Sequence, residues 1–241
     1  MSGIAARIAL LAAAFALASC SSSGVAKRKD TSRTFGTVVV DAGHGGKDSG
    51  ASRRYGPAEK MVTLDVAQRL NRKLRESRFR TVMTRNADVF VPLDDRVSIG
   101  NRQQNSIFVS VHFNDSGRRG IRGFETYYNS PYARDLAQRI QGNLLTLPRS
   151  ANRGVRTANF RVLRNVIYPS ILVECGFLSN RNEAAQAGSP VYREMLADRI
   201  CEAIVDERHG NGTYAARRGA SSSRLADAAG AGSDPAAAAR H

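Results

Sequence analysis

The sequence predicts an α/β domain, a three-layer α/β/α arrangement around a mostly parallel central sheet. Three observations carry that expectation: β-branched apolar runs suited to buried strands, amphipathic helical stretches between them, and the alternation of the two along the chain. The first run, Val38-Val39-Val40, leads into Asp41-Ala42-Gly43-His44-Gly45-Gly46, where glycines turn the chain at the end of a strand. Ligands bind at that edge of open α/β sheets, so His44 stands where a metal ion or a proton is handled. Next, Ala58 to Leu74 places Met61, Leu64, Ala67, Leu70 and Leu74 on one stripe after Pro57, the pattern of an amphipathic helix. Phe79 to Met83 reads as a short strand and Asp94 to Asn105 as a helix. The run from Ile107 to Val111 is a second apolar strand ending in a histidine, His112. A strand at Gly123 to Tyr128 and a helix at Tyr132 to Leu145 follow. A third apolar strand, Ile171 to Phe177, carries Glu174, and Val191 to Glu207 reads as the last helix.

Neither end of the chain is core material. A charged start with Arg7 precedes an apolar run, Ile8 to Leu17, that is short for a bilayer span and reads as a secretory signal. Leu17-Ala18-Ser19-Cys20 resembles the lipobox of bacterial lipoproteins, which implies cleavage before a lipidated Cys20; an ordinary signal peptide cut near Ala18 is the other reading. The expected organisation is a signal peptide over 1–19, a flexible tether over 20–35, one domain over 36–208 and a disordered tail over 209–241. No internal repeat is visible.

The formal net charge is +15, a balance that usually signals nucleic acid. Export, the absence of tryptophan and the lack of any nucleic-acid-binding motif exclude that partner. An extracytoplasmic polyanion, such as lipid headgroups or a cell-wall polymer, fits better, and scattered arginines also read as solvated surface.

Three strands thus bring His44, His112 and Glu174 to one sheet edge. Each alone reads equally well as a satisfied polar residue at a strand end. Together they say more, because a glutamate inside Ile-Leu-Val-Glu-Cys-Gly-Phe is costly without a cation or hydrogen bonds. Glu59 lies fifteen residues after His44, in the first turn of a helix entered from the His44 loop, and reaches back to the same edge. His44, Glu59 and His112 supply two nitrogens and one oxygen, a set that leaves Zn2+ an open position.

These residues, with Lys47-Asp48-Ser49-Gly50-Ala51, Met83-Thr84-Arg85, Leu93 with Arg96, and Leu178-Ser179-Asn180, resemble the zinc-dependent N-acetylmuramoyl-L-alanine amidases of the third amidase type over nearly all of residues 37 to 205. The resemblance implies His44, Glu59 and His112 as zinc ligands and Glu174 as the catalytic glutamate. It also implies peptidoglycan as substrate and, with a lipidated Cys20, attachment at the periplasmic face of a bacterial membrane, the outer one favoured. Ala42 where proline is common, Phe113 where a small residue is usual and Cys175 where an apolar residue is frequent depart from the pattern. Some relatives carry a helical plug between the second histidine and the glutamate; here the elements between Phe113 and Ile171 leave no room for one.

Asp41 and Asp48 are candidates to orient the histidines. Arg149, Arg153, Arg156, Arg161 and Arg164 crowd the approach to the glutamate strand, where they attract stem-peptide carboxylates or simply face solvent. Cys175 and Cys201 are expected as separately buried free thiols, and the protein as a monomer. A different zinc hydrolase, such as an exopeptidase, and a non-catalytic wall-binding lipoprotein are the alternatives that Glu174 discriminates.

Overall fold

A computed structural model of the chain describes residues 27–51, 55–118 and 120–210. The signal, lipobox and most of the tail lie outside them. Six strands form one sheet: β1 (Thr37–Ala42), β2 (Arg80–Met83), β3 (Ser106–Asn114), β4 (Phe124–Tyr128), β5 (Asn152–Thr157) and β6 (Ser170–Phe177), in the order β2-β1-β3-β6-β4-β5. All neighbours run parallel except β4 and β6. The helices are α1 (Glu59–Glu76), α2 (Leu93–Asn101), α3 (Arg134–Leu144), α4 (Arg161–Asn165), α5 (Arg181–Gly188) and α6 (Pro190–His209).

The period-two alternation of the central strands divides the interior. Val38, Val40, Val109, Val111, Ile171, Val173 and Cys175 meet Leu70, Leu74, Ile140, Leu196 and Ile200 from α1, α3 and α6. On the other face Val39, Phe108 and Leu172 meet Val97 of α2 and Val162 and Leu163 of α4. The expected three layers are therefore present.

Several expected boundaries move. The second helix runs Leu93–Asn101 and stops short of Asn105, whose φ of 48° is left-handed. The third begins at Arg134, after a 3-10 turn at Pro131–Ala133. Met61, expected on the buried stripe of α1, is 47% exposed; Val62 and Val66 take that face beside Leu70 and Leu74.

The expected tether also changes from Arg28 onward. Thr31 Oγ1 donates to Ser106 O at 2.6 Å, the Lys29 amide donates to Ile167 O at 2.8 Å, and Phe35 is fully buried against Phe79. One aromatic residue with a socket outweighs the polar composition around it. At the other end α6 closes on Gly210 in the left-handed conformation (φ 69°), as a helix C-terminus commonly does.

Candidate metal centre and active site

The site lies at the C-terminal edge of β1, β3 and β6, on the α2/α4 side of the sheet. Beyond β1 the chain turns through a tight loop in which the Gly45 and Asp48 backbones bond each other twice, at 2.9 and 3.1 Å. His44 sits in it with a φ of 60°. Two buried arginines from the β2–α2 region hold the loop from beneath. Arg85 donates to the carbonyls of Ala42, Gly43 and Lys60, and Arg96 to those of Ala42, His44 and Val91. Carbonyls that no sheet partner reaches are thereby satisfied, and the loop is fixed to its neighbours.

Glu59, at the start of α1 and 3% exposed, is the centre of the cluster. Its Oε1 lies 3.0 Å from His44 Nε2 and 3.1 Å from His112 Nδ1 and accepts from the Phe113 amide at 2.9 Å; its Oε2 accepts from the Ala51 amide at 2.7 Å. Burial raises the carboxyl, but the two histidines outweigh it and bring the pKa down to about 2. His44 Nδ1 lies 2.8 Å from Asp48 Oδ2. Burial lowers this imidazole's pKa, and hydrogen bonds to Glu59 and Asp48 raise it by more.

One ligand atom from each of His44, Glu59 and His112 lies within 4.8 Å of the others, which makes this a group able to hold a metal ion. Tetrahedral zinc keeps its nitrogen and oxygen donors roughly 3.3 Å apart, close to the spacing about Glu59 Oε1. With Nδ1 donating to Asp48, His44 turns the Nε2 lone pair inward, the tautomer a metal needs. Asp48 therefore orients a histidine as expected. Asp41 does not: it pairs with Arg96 at 2.7 Å and accepts from Thr84 and Ser110 hydroxyls, each at 2.6 Å.

Glu174 joins this centre through register. It pairs across the sheet with His112 on β3 and with Glu125 on β4, so the three stand in one row on the same face. Its Oε2 is shielded from solvent and has no hydrogen-bond partner among the described residues. Burial pushes its pKa up to about 7, with Glu59 and Glu125 adding to the rise against the two histidines. A buried carboxylate oxygen without a partner, beside a set of metal ligands, is poised for a ligand or a proton.

A groove of about 630 Å³ opens over these groups. His44, Glu59, His112 and Glu174 line its floor, while Phe90, Leu93 and Phe160 form apolar walls. A larger depression of about 900 Å³ beside β2, lined by Gln68, Arg75, Arg80 and Asn86, holds no such ligand set.

The five arginines expected as one cluster separate. Arg161 pairs with Asp94 through two bonds of 2.5 and 2.7 Å, Arg164 bonds Asn165 and the Asn159 carbonyl, and Arg149 lines another depression beside α5. Only Arg153 and Arg156 turn toward the row, onto Glu125. Glu125, with its partners Asn114 and Tyr127, was not among the expected site residues.

Fold and site together define a zinc-dependent amidase. The chain belongs to the N-acetylmuramoyl-L-alanine amidase family, whose pattern matches residues 38–206. It is 39% identical over 172 residues to the uncharacterized protein YqiI of Bacillus subtilis, covering 70% of this chain and 82% of that protein. Against the N-acetylmuramoyl-L-alanine amidase LytC of Bacillus subtilis it is 37% identical over 173 residues, 70% of this chain and only 35% of LytC. The solved structure of N-acetylmuramoyl-L-alanine amidase AmiC2 of Nostoc punctiforme superimposes with a TM-score of 0.68 at 38% identity, over 70% of this chain and 95% of that one.

Proposed function

We propose that the chain is a peptidoglycan hydrolase that cleaves the amide bond between N-acetylmuramic acid and the L-alanine of the stem peptide. The observation that carries this reading is the unpartnered Glu174 Oε2 in register with His112. Zinc, when held by His44, Glu59 and His112, supplies Lewis-acid polarisation of the amide carbonyl and acidifies water.

The chain's own residues do the rest. Asp48 keeps His44 in the ligating tautomer. Two backbone amides, of Phe113 and Ala51, hold Glu59 as an anion aimed between the histidines. Glu174 Oε2 takes a proton from the attacking water and returns it to the departing amine nitrogen of L-alanine, one carboxylate serving as base and then acid. A pKa raised to about 7 makes the Glu174 carboxylate a stronger base for the first transfer and leaves an acid still strong enough to protonate an amine nitrogen in the second. The exposed Phe90, Leu93 and Phe160 offer the open groove an apolar surface for the substrate.

Export and lipidation at Cys20 complete the reading: a lipoprotein at the periplasmic face of a bacterial membrane, the outer one favoured, acting on the wall as a monomer without an activator. Loss of fatty-acid labelling in Cys20→Ser tests the anchor. Digestion of purified peptidoglycan by the zinc-loaded protein, with release of stem peptides bearing a new L-alanine amino terminus, tests the activity. New reducing ends or shortened peptides in place of those products would refute it.

A further inference from the structure

Past the groove, on the β4/β5 side, lies a polar cluster that amide cleavage does not require. Glu125 is 3% exposed and stands in register with Glu174. Its Oε2 accepts from Asn114 Nδ2 at 2.9 Å and from the Tyr127 hydroxyl at 3.2 Å. Its Oε1 faces two guanidinium groups, Arg153 Nε at 3.1 Å and Arg156 Nη2 at 3.9 Å. Arg153 also lies over the Phe177 ring, 5.1 Å from its centroid, which fixes the plane of the group. One carboxylate thus gathers two cations, and Arg153 also feels the Glu183 carboxylate, beside which Arg122 stands as a further cation. Among the described residues, the terminal nitrogens of Arg153 pair with no other side chain, and Arg156 Nη2 otherwise only reaches the Arg153 carbonyl at 3.4 Å. Guanidinium donors on both side chains therefore remain open, including a buried Arg153 Nε that makes no hydrogen bond, and a guanidinium can take a carboxylate in a two-point bond.

Strand order says which part of the substrate arrives there. Along the edge stand His44 after β1, His112 on β3, Glu174 on β6, Glu125 on β4, then Arg153 and Arg156 on β5. Glu174 protonates the departing nitrogen, so the peptide attached to that nitrogen continues toward β4 and β5. Asn114 lines the groove and donates to Glu125, joining the two regions. We infer that Arg153 and Arg156 recognise a carboxylate on the peptide leaving group, with Glu125 as the positioning residue that holds the pair. This rests on the amidase reading and adds the acidic group the site selects and the direction in which the peptide lies.

Two probes test it: N-acetylmuramoyl-L-alanyl-glutamate and the same molecule with its carboxylates converted to carboxamides. Zinc-loaded full-length protein is expected to show a KM about tenfold lower for the acid probe, in keeping with a charge-assisted pair. In the R153Q/R156Q double variant the acid probe's KM rises to that of the carboxamide, with kcat changed less than KM, and the difference in the unaltered protein shrinks at high salt. Glu125→Gln is expected to lose part of the preference. Binding of both probes to zinc-loaded Glu174→Gln protein is measured as well, since it needs no turnover. A preference for the acid probe there, even with no cleavage by the unaltered enzyme, supports the arginine pair and removes the amidase reading. Equal affinity for the two probes, or a preference that survives R153Q/R156Q, overturns the inference.

Discussion

Two glycines in the site are dictated by what stands beside them. A Cβ on Gly43 would lie 2.4 Å from His112 Cε1, and one on Gly50, at a φ of +68°, would lie 2.4 Å from Glu59 Oε2. Gly43→Ala is therefore expected to move the His112 ring and weaken zinc by about tenfold or more, read by titration against a chelator, while the fold is kept. Undiminished affinity would mean that the loop yields instead. His112→Ala should lose zinc and activity together, because two remaining ligands hold the ion poorly. By contrast Glu174→Gln should retain stoichiometric zinc and lose turnover by a factor of about a hundred or more; near-normal turnover would remove Glu174 from the reaction. Asp41 gives a prediction of another kind. Burial raises its pKa, yet Arg96, Ser110 and Thr84 outweigh that and hold it below 3.8. A carboxyl so lowered binds fewer protons folded than unfolded, so it stabilises the fold above about pH 4, and that contribution is lost as pH falls through the folded value. Asp41→Asn should lower stability at pH 7 and flatten its decline below about pH 4 in urea titrations. Among these residues His44, His112 and Glu174 were legible, each closing or interrupting an apolar run. Glu125 was not, because Phe-Glu-Thr-Tyr-Tyr alternates like a strand with one wet face, and only its pairing with β6 buries the glutamate.

At the scale of elements, the legible ones were those whose apolar period is long enough to count. The three central strands and the helices α1, α3 and α6 qualify and build the larger core, while β2, β4 and α2 are legible from shorter runs with their bounds shifted by a few residues. β5 has the sequence Asn-Arg-Gly-Val-Arg-Thr, with one apolar residue, and is a strand because it closes the sheet's edge beside β4. α4 spans five residues, too few for any helical period. α5 carries a start signal in its capping residue. Asn180 accepts from the Asn182 and Glu183 amides and caps the helix, and Glu183 carries on from there: its carboxylate accepts from the Phe177 and Gly123 amides at 2.7 and 2.8 Å. Asn180→Ala should cost about 1 kcal/mol in urea unfolding by loss of the cap. A null effect would place the stability of α5 wholly in its contacts with β6 and α6.

At the scale of the molecule, the two edges of the sheet have separate work. The metal centre occupies the C-terminal edge, while residues 28–35 close the N-terminal edge. There Arg28 reaches the Leu163 and Arg164 carbonyls, Thr31 the Ser106 carbonyl and Arg33 the buried Glu207, and Arg208 returns a bond to the Phe35 carbonyl at 2.9 Å. This strap thereby ties β3, α4 and α6 together beneath Phe35. The two thiols take no part in either edge. Cys175 is buried on the face opposite Glu174 and Cys201 lies against Ser77, both free, so both should alkylate in denatured, unreduced protein. Ser106 and His112 bound a stretch of β3 that spans roughly 20 Å at strand rise, a distance over which substitutions act independently. Phe35→Ala removes a ring that is fully buried and stacked 5.6 Å from Phe79, and it should cost about 3 to 5 kcal/mol in urea unfolding. The same variant, assayed at low temperature where it remains folded, should keep its zinc affinity and its kcat/KM per folded molecule. A fall in kcat/KM beyond the unfolded fraction would show that the strap reaches the metal centre through β3, and the two edges would then have to be treated as one unit.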